Sequence, residues 1–229
     1  MVVKLQQVVP FGRSLDEYTK LFNLSESDLQ KRILSVADGP ASFNAEATLQ
    51  GATVLSIDPL YQFSVAEIQQ RFDAVVDDII EQVRNSPTDW VWSYHASPDA
   101  LKASRVRSIQ TFLADFEQGK AEGRYRVGEL PNLDVSLGQF DLVLCSHFLF
   151  LYSDHVDYDL HRDAVFAMLK VSPEVRIFPL LTLMLERSPY LDPLIHELTD
   201  AGYHVSIEQT AYEFQKGGNE MLVLRSPSS

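Results

Sequence analysis

The sequence predicts an α/β fold in which helices cover both faces of a mainly parallel sheet. Short apolar strands and amphipathic helices alternate through most of the 229 residues, a pattern typical of parallel sheets. Two late strands, separated only by a loop near Gly217 and Gly218, predict an antiparallel hairpin at one edge. A single large domain of this length can bury a substantial core.

The N-terminal part is predicted to be a helical extension over residues 1–32, and residues 33–229 the main domain. Ser14 is followed three positions later by Glu17, and this spacing is a capping box that starts a short helix. A second short helix is predicted to begin at Ser25, where acidic residues follow at its positive end.

The elements of the main domain follow from composition and periodicity. Strands are predicted for short runs of apolar and β-branched residues: Arg32–Ala37, Thr53–Ile57, Tyr125–Leu130, Phe140–Cys145, Glu174–Leu180, Tyr203–Glu208 and Glu220–Leu224. Helices are predicted where apolar residues recur every three to four positions: Ser42–Gln50, Ser64–Arg84, Ala100–Glu117, Tyr158–Val171 and Pro193–Ala201.

Composition and charge exclude several classes of protein. A hydrophobic fraction of 45% argues against a disordered chain, and the formal net charge of −13 repels phosphate backbones, so we expect no nucleic-acid partner. The single cysteine, Cys145, cannot form an intrachain disulfide. Because there is no signal-like segment and no apolar run of about 20 residues, we expect a soluble, cytoplasmic protein without a membrane partner.

Predicted strand ends are the first place to look for a site, because ligands of open α/β sheets bind beyond the carboxyl ends of the strands. One strand runs through Asp38-Gly39-Pro40 into a helix, whose free N–H groups can face a ligand. The next strand ends at Asp58, 19 positions after Gly39, a spacing that suits a carboxylate accepting hydrogen bonds from a ribose diol. Taken alone, these segments are also typical of a tight turn and a helix cap.

Two later strand ends extend the pattern. Val127–Leu130 could flank an adenine ring, and Phe140–Phe148 is an apolar strand that ends in small and polar residues. In this order the four segments resemble class I S-adenosylmethionine-dependent methyltransferases over roughly residues 30–225. The resemblance is greatest to uncharacterised bacterial methyltransferase-like proteins, through Pro10-Phe11-Gly12-Arg13-Ser14, Asp38-Gly39-Pro40 and Arg176-Ile177-Phe178-Pro179.

The resemblance implies a Rossmann-like three-layer sandwich with a seven-stranded sheet and an antiparallel last strand. It implies S-adenosylmethionine as cofactor, S-adenosylhomocysteine as product, and an unidentified small-molecule methyl acceptor. The cofactor residues that it implies are Ala37, Asp38, Gly39 and Ala41 in the loop, Asp58 and Pro59 at the ribose, Glu129 and Leu130 beside the adenine, and Cys145, Ser146 and His147 beside the methionine.

Three departures from the family pattern leave alternatives open. Two glycines of the family loop are Ala37 and Ala41 here, and the usual acidic residue of the first strand is Ser35. Alanine resists a positive φ angle, so a cofactor-binding protein without transferase activity stays an alternative. Another α/β nucleotide-binding enzyme is a further alternative, although no G-x-G-x-x-G motif supports a plain NAD site.

Candidate residues for catalysis and substrate binding are fewer. His147 falls just beyond a strand end and is the candidate general base, the alternative being a structural hydrogen-bonding role. Candidates for a lid or substrate contact are Phe11, Arg13, Tyr18 and Tyr61, the alternative being a packed extension. The aromatic cluster Trp90, Trp92, Tyr94 and His95 predicts either a substrate pocket or a homodimer contact. No metal is expected, since no ligand spacing matches a known site.

Overall fold

The computed structural model describes residues 9–134, 136 and 138–227, which form one seven-stranded sheet with six α-helices. The strands are β1 (Arg32–Val36), β2 (Thr53–Ile57), β3 (Tyr125–Arg126), β4 (Leu142–Ser146), β5 (Glu174–Phe178), β6 (His204–Gln209) and β7 (Glu220–Arg225). The helices are α1 (Leu15–Leu21), α2 (Phe43–Leu49), α3 (Val65–Arg84), α4 (Pro98–Ala121), α5 (Tyr158–Val171) and α6 (Leu191–Asp200).

The strand order is β3-β2-β1-β4-β5-β7-β6. The first five strands run parallel, whereas β7 is antiparallel to both of its neighbours, β5 and β6. This confirms the expected seven-stranded, mainly parallel sheet with an antiparallel last strand. Because β1 to β5 are parallel, their carboxyl ends meet at one edge of the sheet.

Both faces of the sheet are covered, as the nearly continuous apolar strands predict. In β4, Leu142 and Leu144 pack on the side of α1 and α2. The alternate residues Val143 and Cys145 pack on the side of α5 and α6. The result is the three-layer arrangement that the sequence predicts. Within the described ranges, no helix is both long and apolar enough to cross a membrane.

One predicted strand is much shorter in the structure. Tyr125–Leu130 was expected to be extended, but β3 pairs with β2 over only two residues, Tyr125 and Arg126. The chain then passes the end of β2 so closely that a Cβ atom on Gly128 would lie 2.8 Å from Cγ2 of Ile57. This close approach takes the segment out of the ladder of β-sheet hydrogen bonds.

The second predicted N-terminal helix is only a 3₁₀ turn over Asp28–Gln30. The Asp28 carboxylate accepts hydrogen bonds from the backbone N and the hydroxyl of Ser25, at 3.0 and 2.9 Å, which closes a local turn rather than a longer helix. Helix α4 starts at Pro98, two residues before the predicted start, because Ser97 caps it and proline is well suited to the first helical position.

The N-terminal helix α1 begins with the predicted capping box. The Ser14 side chain accepts a hydrogen bond from the Glu17 backbone N, and the Glu17 carboxylate accepts one from the Ser14 backbone N. The helix packs into the core beside the sheet, and its Tyr18 ring stacks on Phe43 of α2 at 4.2 Å between ring centroids. The described part of the N-terminal extension is therefore built into the sheet's helical layer.

A buried ion pair ties this N-terminal segment to α4. Arg105 donates two hydrogen bonds to the Glu17 carboxylate, at 2.9 and 2.8 Å, and a third to the Gly12 carbonyl at 3.2 Å. The two side chains are 2% and 0% exposed, and His95 and Tyr212 lie against the same carboxylate. The charge of Arg105 keeps the pKa of Glu17 well below its ordinary value although burial acts in the opposite direction.

Removing one partner of this pair should destabilise the fold strongly, because the other charge is left buried without compensation. We expect Glu17→Ala to lower the free energy of unfolding by about 3–5 kcal/mol in urea denaturation. The matched variant Glu26→Ala removes an exposed carboxylate of the same segment and should change it by less than about 0.5 kcal/mol. Equal effects of the two variants would contradict this view of the ion pair.

Candidate functional site

A cleft of about 520 Å³ opens at the carboxyl edge of the sheet. Its inner wall is formed by the last residue of β4 and the segments that follow β1, β2 and β4, namely Ala37, Asp38, Gly39, Asp58, Pro59, Ser146 and His147. The size lies in the usual range of roughly 300–1,000 Å³ for small-molecule sites. Three of the four strand ends that the sequence predicts as a site therefore meet in one cavity, whereas Val127–Leu130 does not contribute to its lining.

In the loop after β1, an alanine and a glycine both adopt a left-handed backbone conformation. Ala37 and Gly39 both have φ angles of +54°. A left-handed conformation costs an alanine roughly 1–2 kcal/mol, and here the Ala37 backbone N is held by a 2.9 Å hydrogen bond to the Ile57 carbonyl. The chain therefore follows a left-handed path at Ala37 although this residue is not a glycine.

Asp58 links this loop to the end of β2. Its Oδ2 accepts a hydrogen bond from the Gly39 backbone N at 2.9 Å, and its Oδ1 accepts one from the Leu60 backbone N at 2.7 Å. Burial raises the pKa of Asp58 to about 6 in spite of these two backbone donors. The carboxylate lies in the cleft wall with one backbone donor on each oxygen.

Asp38 is also in the wall, but its oxygens are engaged by side chains behind the loop. The Tyr61 hydroxyl lies 2.6 Å from its Oδ1, and the Ser56 hydroxyl donates to its Oδ2 at 2.8 Å. Burial raises the pKa of Asp38 to about 7 against these hydrogen bonds, and the charge of Asp58 adds to the rise. The Tyr61 hydroxyl also donates a hydrogen bond to the Gly39 carbonyl at 2.9 Å. These contacts stabilise the loop after β1.

The end of β4 brings Ser146 and His147 to the cleft. His147 has a φ angle of +53°, and its Nδ1 lies 2.9 Å from the Ser146 hydroxyl. Burial, with the nearby charges of Arg13 and Arg105, lowers the pKa of His147 well below its ordinary value, so the ring is neutral at physiological pH. Cys145 is buried outside the wall, and burial raises its pKa to about 12, which leaves it as an unreactive thiol.

The N-terminal segment lies directly on the loop after β1. A Cβ atom on Gly12 would overlap the backbone of Pro40, so only glycine allows this approach. The neighbours Phe11 and Arg13 line the cleft, and Arg13 donates a hydrogen bond from Nη1 to the Phe11 carbonyl at 2.8 Å. The structure thus brings two of the lid or substrate candidates to the site.

The remaining predicted residues lie behind or beside the wall. Tyr18 and Tyr61 are fully buried, and Ala41 and Leu130 belong to the hydrophobic core. Glu129 is exposed in the segment that passes the end of β2. None of these five contributes to the cleft lining.

The outer wall of the cleft was not predicted from the sequence. Its main residues come from the apolar face of α3 and from segments after β4, β5 and β6: Val75, Ile79, Val83, Leu151, Tyr152, Leu183, Tyr212, Phe214 and Gln215. Of the predicted aromatic cluster, Trp90 lines the cleft and stacks on Phe214 at 4.7 Å. The aromatic residues Tyr212 and Phe214, in the segment between β6 and β7, were the sequence feature that could have indicated this wall. However, no local sequence pattern predicts that this segment turns back over the edge of the sheet.

The part of the chain that the structure describes has no group of three or more His, Cys, Asp or Glu side chains placed to hold a metal ion. Asp157, directly before α5, and His161, within α5, have structural roles. Asp157 caps the helix, and His161 is buried with its Nε2 2.9 Å from the Leu149 carbonyl.

Fold and cleft together define an α/β protein with a cleft at the carboxyl ends of β2, β1 and β4. The strand order reverses between β1 and β4, the place where open α/β sheets bind ligands. The chain belongs to the same family as an uncharacterised protein of Methanocaldococcus jannaschii. The two are 34% identical over 224 residues, which cover 97% of this chain and 98% of that protein. The relative is archaeal, so it does not support the bacterial subgroup that the sequence suggested. No family model matches the chain.

Solved structures similar to this fold include two methyltransferases. Magnesium protoporphyrin IX methyltransferase from Synechocystis PCC 6803 with bound SAH is 14% identical, with 93% of this chain and 82% of that chain covered and a TM-score of 0.49. A putative RNA methyltransferase from Pyrococcus horikoshii is 13% identical, with 93% and 85% covered and a TM-score of 0.43.

The raised pKa of Asp38 makes a prediction about stability and pH. Below about pH 4 the Asp38 carboxyl is protonated in both the folded and the unfolded protein. As pH rises to about 7, the unfolded chain releases this proton while the folded protein retains it, so the folded state loses stability relative to the unfolded state. We expect Asp38→Asn, compared with the wild type, to gain roughly 2 kcal/mol more at pH 8 than at pH 5 in urea denaturation. The exposed control Asp73→Asn should show no such difference, and a pH-independent effect of Asp38→Asn would contradict the prediction.

Proposed function

We propose that this protein is an S-adenosylmethionine-dependent methyltransferase that acts on a small molecule. The observation that carries the proposal is the Asp58 carboxylate, which lies in the cleft wall and is hydrogen-bonded to Gly39 of the neighbouring loop. The Asp58 carboxylate can accept hydrogen bonds from a ribose diol, and the Gly39 backbone lies next to it. Both are at the edge of the sheet where the strand order reverses.

The residues of the inner wall fit this cofactor. A carboxylate has about four lone-pair positions, and the Gly39 and Leu60 backbone donors use one on each oxygen of Asp58. Each oxygen can therefore accept one further hydrogen bond, as a ribose diol requires. The apolar side chains of Pro59, Leu60 and Phe63 line the cleft beside it and suit the faces of an adenine ring.

The segment after β3 passes close to the proposed adenine end, because Gly128 lies against Ile57, directly before Asp58. Glu129 and Leu130 follow Gly128 in the chain but do not contribute to the cleft lining. Ala37 and Ser146 line the cleft beside the loop after β1, and we assign the methionine part to this place.

A bound methyl sulfonium supplies an activated methyl group, so the protein's task is to orient the acceptor and exclude water. The apolar outer wall, with Trp90, Leu183 and Phe214, excludes water from this side. His147 is the candidate base. If its Nδ1 donates to the Ser146 hydroxyl 2.9 Å away, its Nε2 has the lone pair that can accept a proton from the acceptor.

Asp58 provides the first test of the proposal. We expect the wild type to bind S-adenosylhomocysteine in calorimetry, and Asp58→Asn to bind it at least about tenfold more weakly, because hydrogen bonds to a charged group contribute roughly 1.5–3 kcal/mol each. Asp78→Asn changes an exposed carboxylate of α3 and should leave the affinity unchanged. Absence of binding to the wild type at millimolar ligand would refute the proposed cofactor.

His147 provides a separate test of catalysis. With an acceptor found by screening for S-adenosylhomocysteine release, His147→Ala should lower kcat by about 100-fold or more and leave cofactor affinity unchanged. Because the imidazole is neutral, the wild-type rate should show no loss from His147 protonation between pH 6 and 9. Full turnover of the variant at every pH would exclude His147 as the base, and binding without any transfer would favour a cofactor-binding protein that is not a transferase.

A further inference from the structure

The charges along the cleft are divided between its two sides. The acidic side chains of the lining are Asp38 and Asp58, and both lie on the inner wall. The rest of the lining, here called the acceptor side, includes Phe11, Val75, Ile79, Trp90, Leu183 and Phe214 as apolar residues. Its charged residues are Arg13 and Arg105, whereas the third arginine of the lining, Arg71, lies over Phe63 at the proposed adenine end. A chain with a formal net charge of −13 thus has a cationic, apolar acceptor side.

Of the three arginines in the cleft lining, only Arg105 forms an ion pair with a carboxylate among the described residues. Arg105 is paired with Glu17, whereas Arg71 lies over the Phe63 ring, 3.8 Å from its centroid. Arg13 forms no ion pair with an acid within the described residues, and its buried Nε has no hydrogen-bond partner there. Burial and the charge of Arg105 lower the pKa of Arg13 to about 10, so the guanidinium is still charged at neutral pH.

A partly desolvated guanidinium with an unused donor is costly unless an anion binds to it. Apolar walls strengthen such an interaction, because they lower the local dielectric constant. The ammonium group of the proposed cofactor balances its carboxylate, so its sulfonium adds one net positive charge to a cleft that already holds guanidinium groups. An anionic acceptor compensates this net charge, whereas the cofactor's carboxylate by itself does not.

We propose that the methyl acceptor is an apolar small molecule that carries an anionic oxygen group, a carboxylate or a phosphate, and that Arg13 binds this group. The inference rests on the proposed methyltransferase function and specifies its substrate class. The anion is the group by which the acceptor is held. The apolar body of the acceptor lies between Trp90, Phe214 and the α3 face.

The test compares isosteric probes on the full chain saturated with S-adenosylhomocysteine. Phenylacetate and octanoate are titrated against phenylacetamide and octanamide, with phenyl phosphate as the phosphate probe, and binding is measured by calorimetry and by ligand-observed NMR. We expect each acid to bind at least about tenfold more tightly than its amide, since a charged hydrogen bond contributes roughly 1.5–3 kcal/mol. Whether carboxylate or phosphate binds more tightly distinguishes the two sources of the anion.

Arg13→Gln should abolish the preference for the acids and leave the affinity for the amides unchanged. Arg13→Lys, which keeps the charge, should restore part of the preference. The matched variant Arg107→Gln, on the exposed side of α4, should behave as the wild type. A second pair of ligands excludes a role of Arg13 on the cofactor: Arg13→Gln should weaken S-adenosylhomocysteine and 5′-methylthioadenosine, which lacks the amino acid, to the same small extent.

Two outcomes would overturn the inference while the proposed function stands. One is equal affinity of acids and amides for the wild type with S-adenosylhomocysteine bound. The other is a loss of S-adenosylhomocysteine affinity in Arg13→Gln that 5′-methylthioadenosine does not share, with the acid preference intact, because Arg13 would then hold the cofactor's carboxylate. Failure of the wild type to bind S-adenosylhomocysteine at all would refute the proposed function and this inference together.

Discussion

The buried ion pair between Glu17 and Arg105 is the interaction on which the architecture of the site depends. Glu17 completes the capping box that starts α1, and Arg105 also holds the Gly12 carbonyl. These contacts fix the short segment between Gly12 and Ser14 against the loop after β1. A buried ion pair of this kind stabilises the fold only when every hydrogen-bond donor and acceptor around it has a partner. Here His95 and Tyr212 complete the surroundings of the carboxylate.

The two aspartates of the inner wall, Asp38 and Asp58, have different roles. Asp38 receives hydroxyl groups from Tyr61 and Ser56 and supports the left-handed backbone of the loop. Asp58 receives only backbone N–H groups from Gly39 and Leu60, so it retains acceptor capacity toward the cleft. Burial raises the pKa of both, to about 7 and about 6. The loop is thus maintained by one carboxyl group while the other can serve a ligand.

Charge is distributed in opposite ways on the surface and in the cleft. The chain has a formal net charge of −13, whereas the acceptor side of the cleft has arginines and no acid in its lining. Arg13 is central to this contrast, because it lies at the junction between the N-terminal segment and the cavity and has a donor without a partner among the described residues. His147 is neutral and adds no further positive charge. One guanidinium that forms no ion pair among the described residues thus lies between apolar walls of the cleft.

The sequence by itself determined the elements and one wall of the site. Strand Thr53–Ile57 and helix Tyr158–Val171 have the predicted bounds, because apolar periodicity and capping are local properties of the chain. Asp58 and the loop after β1 could be located together, since parallel strands bring their ends to one edge. Only the tertiary structure decided that Phe214 turns back onto Trp90 and that Glu17 pairs with Arg105, 88 positions away. Such contacts depend on how separate elements pack, and no local pattern specifies which distant side chain will meet a buried charge.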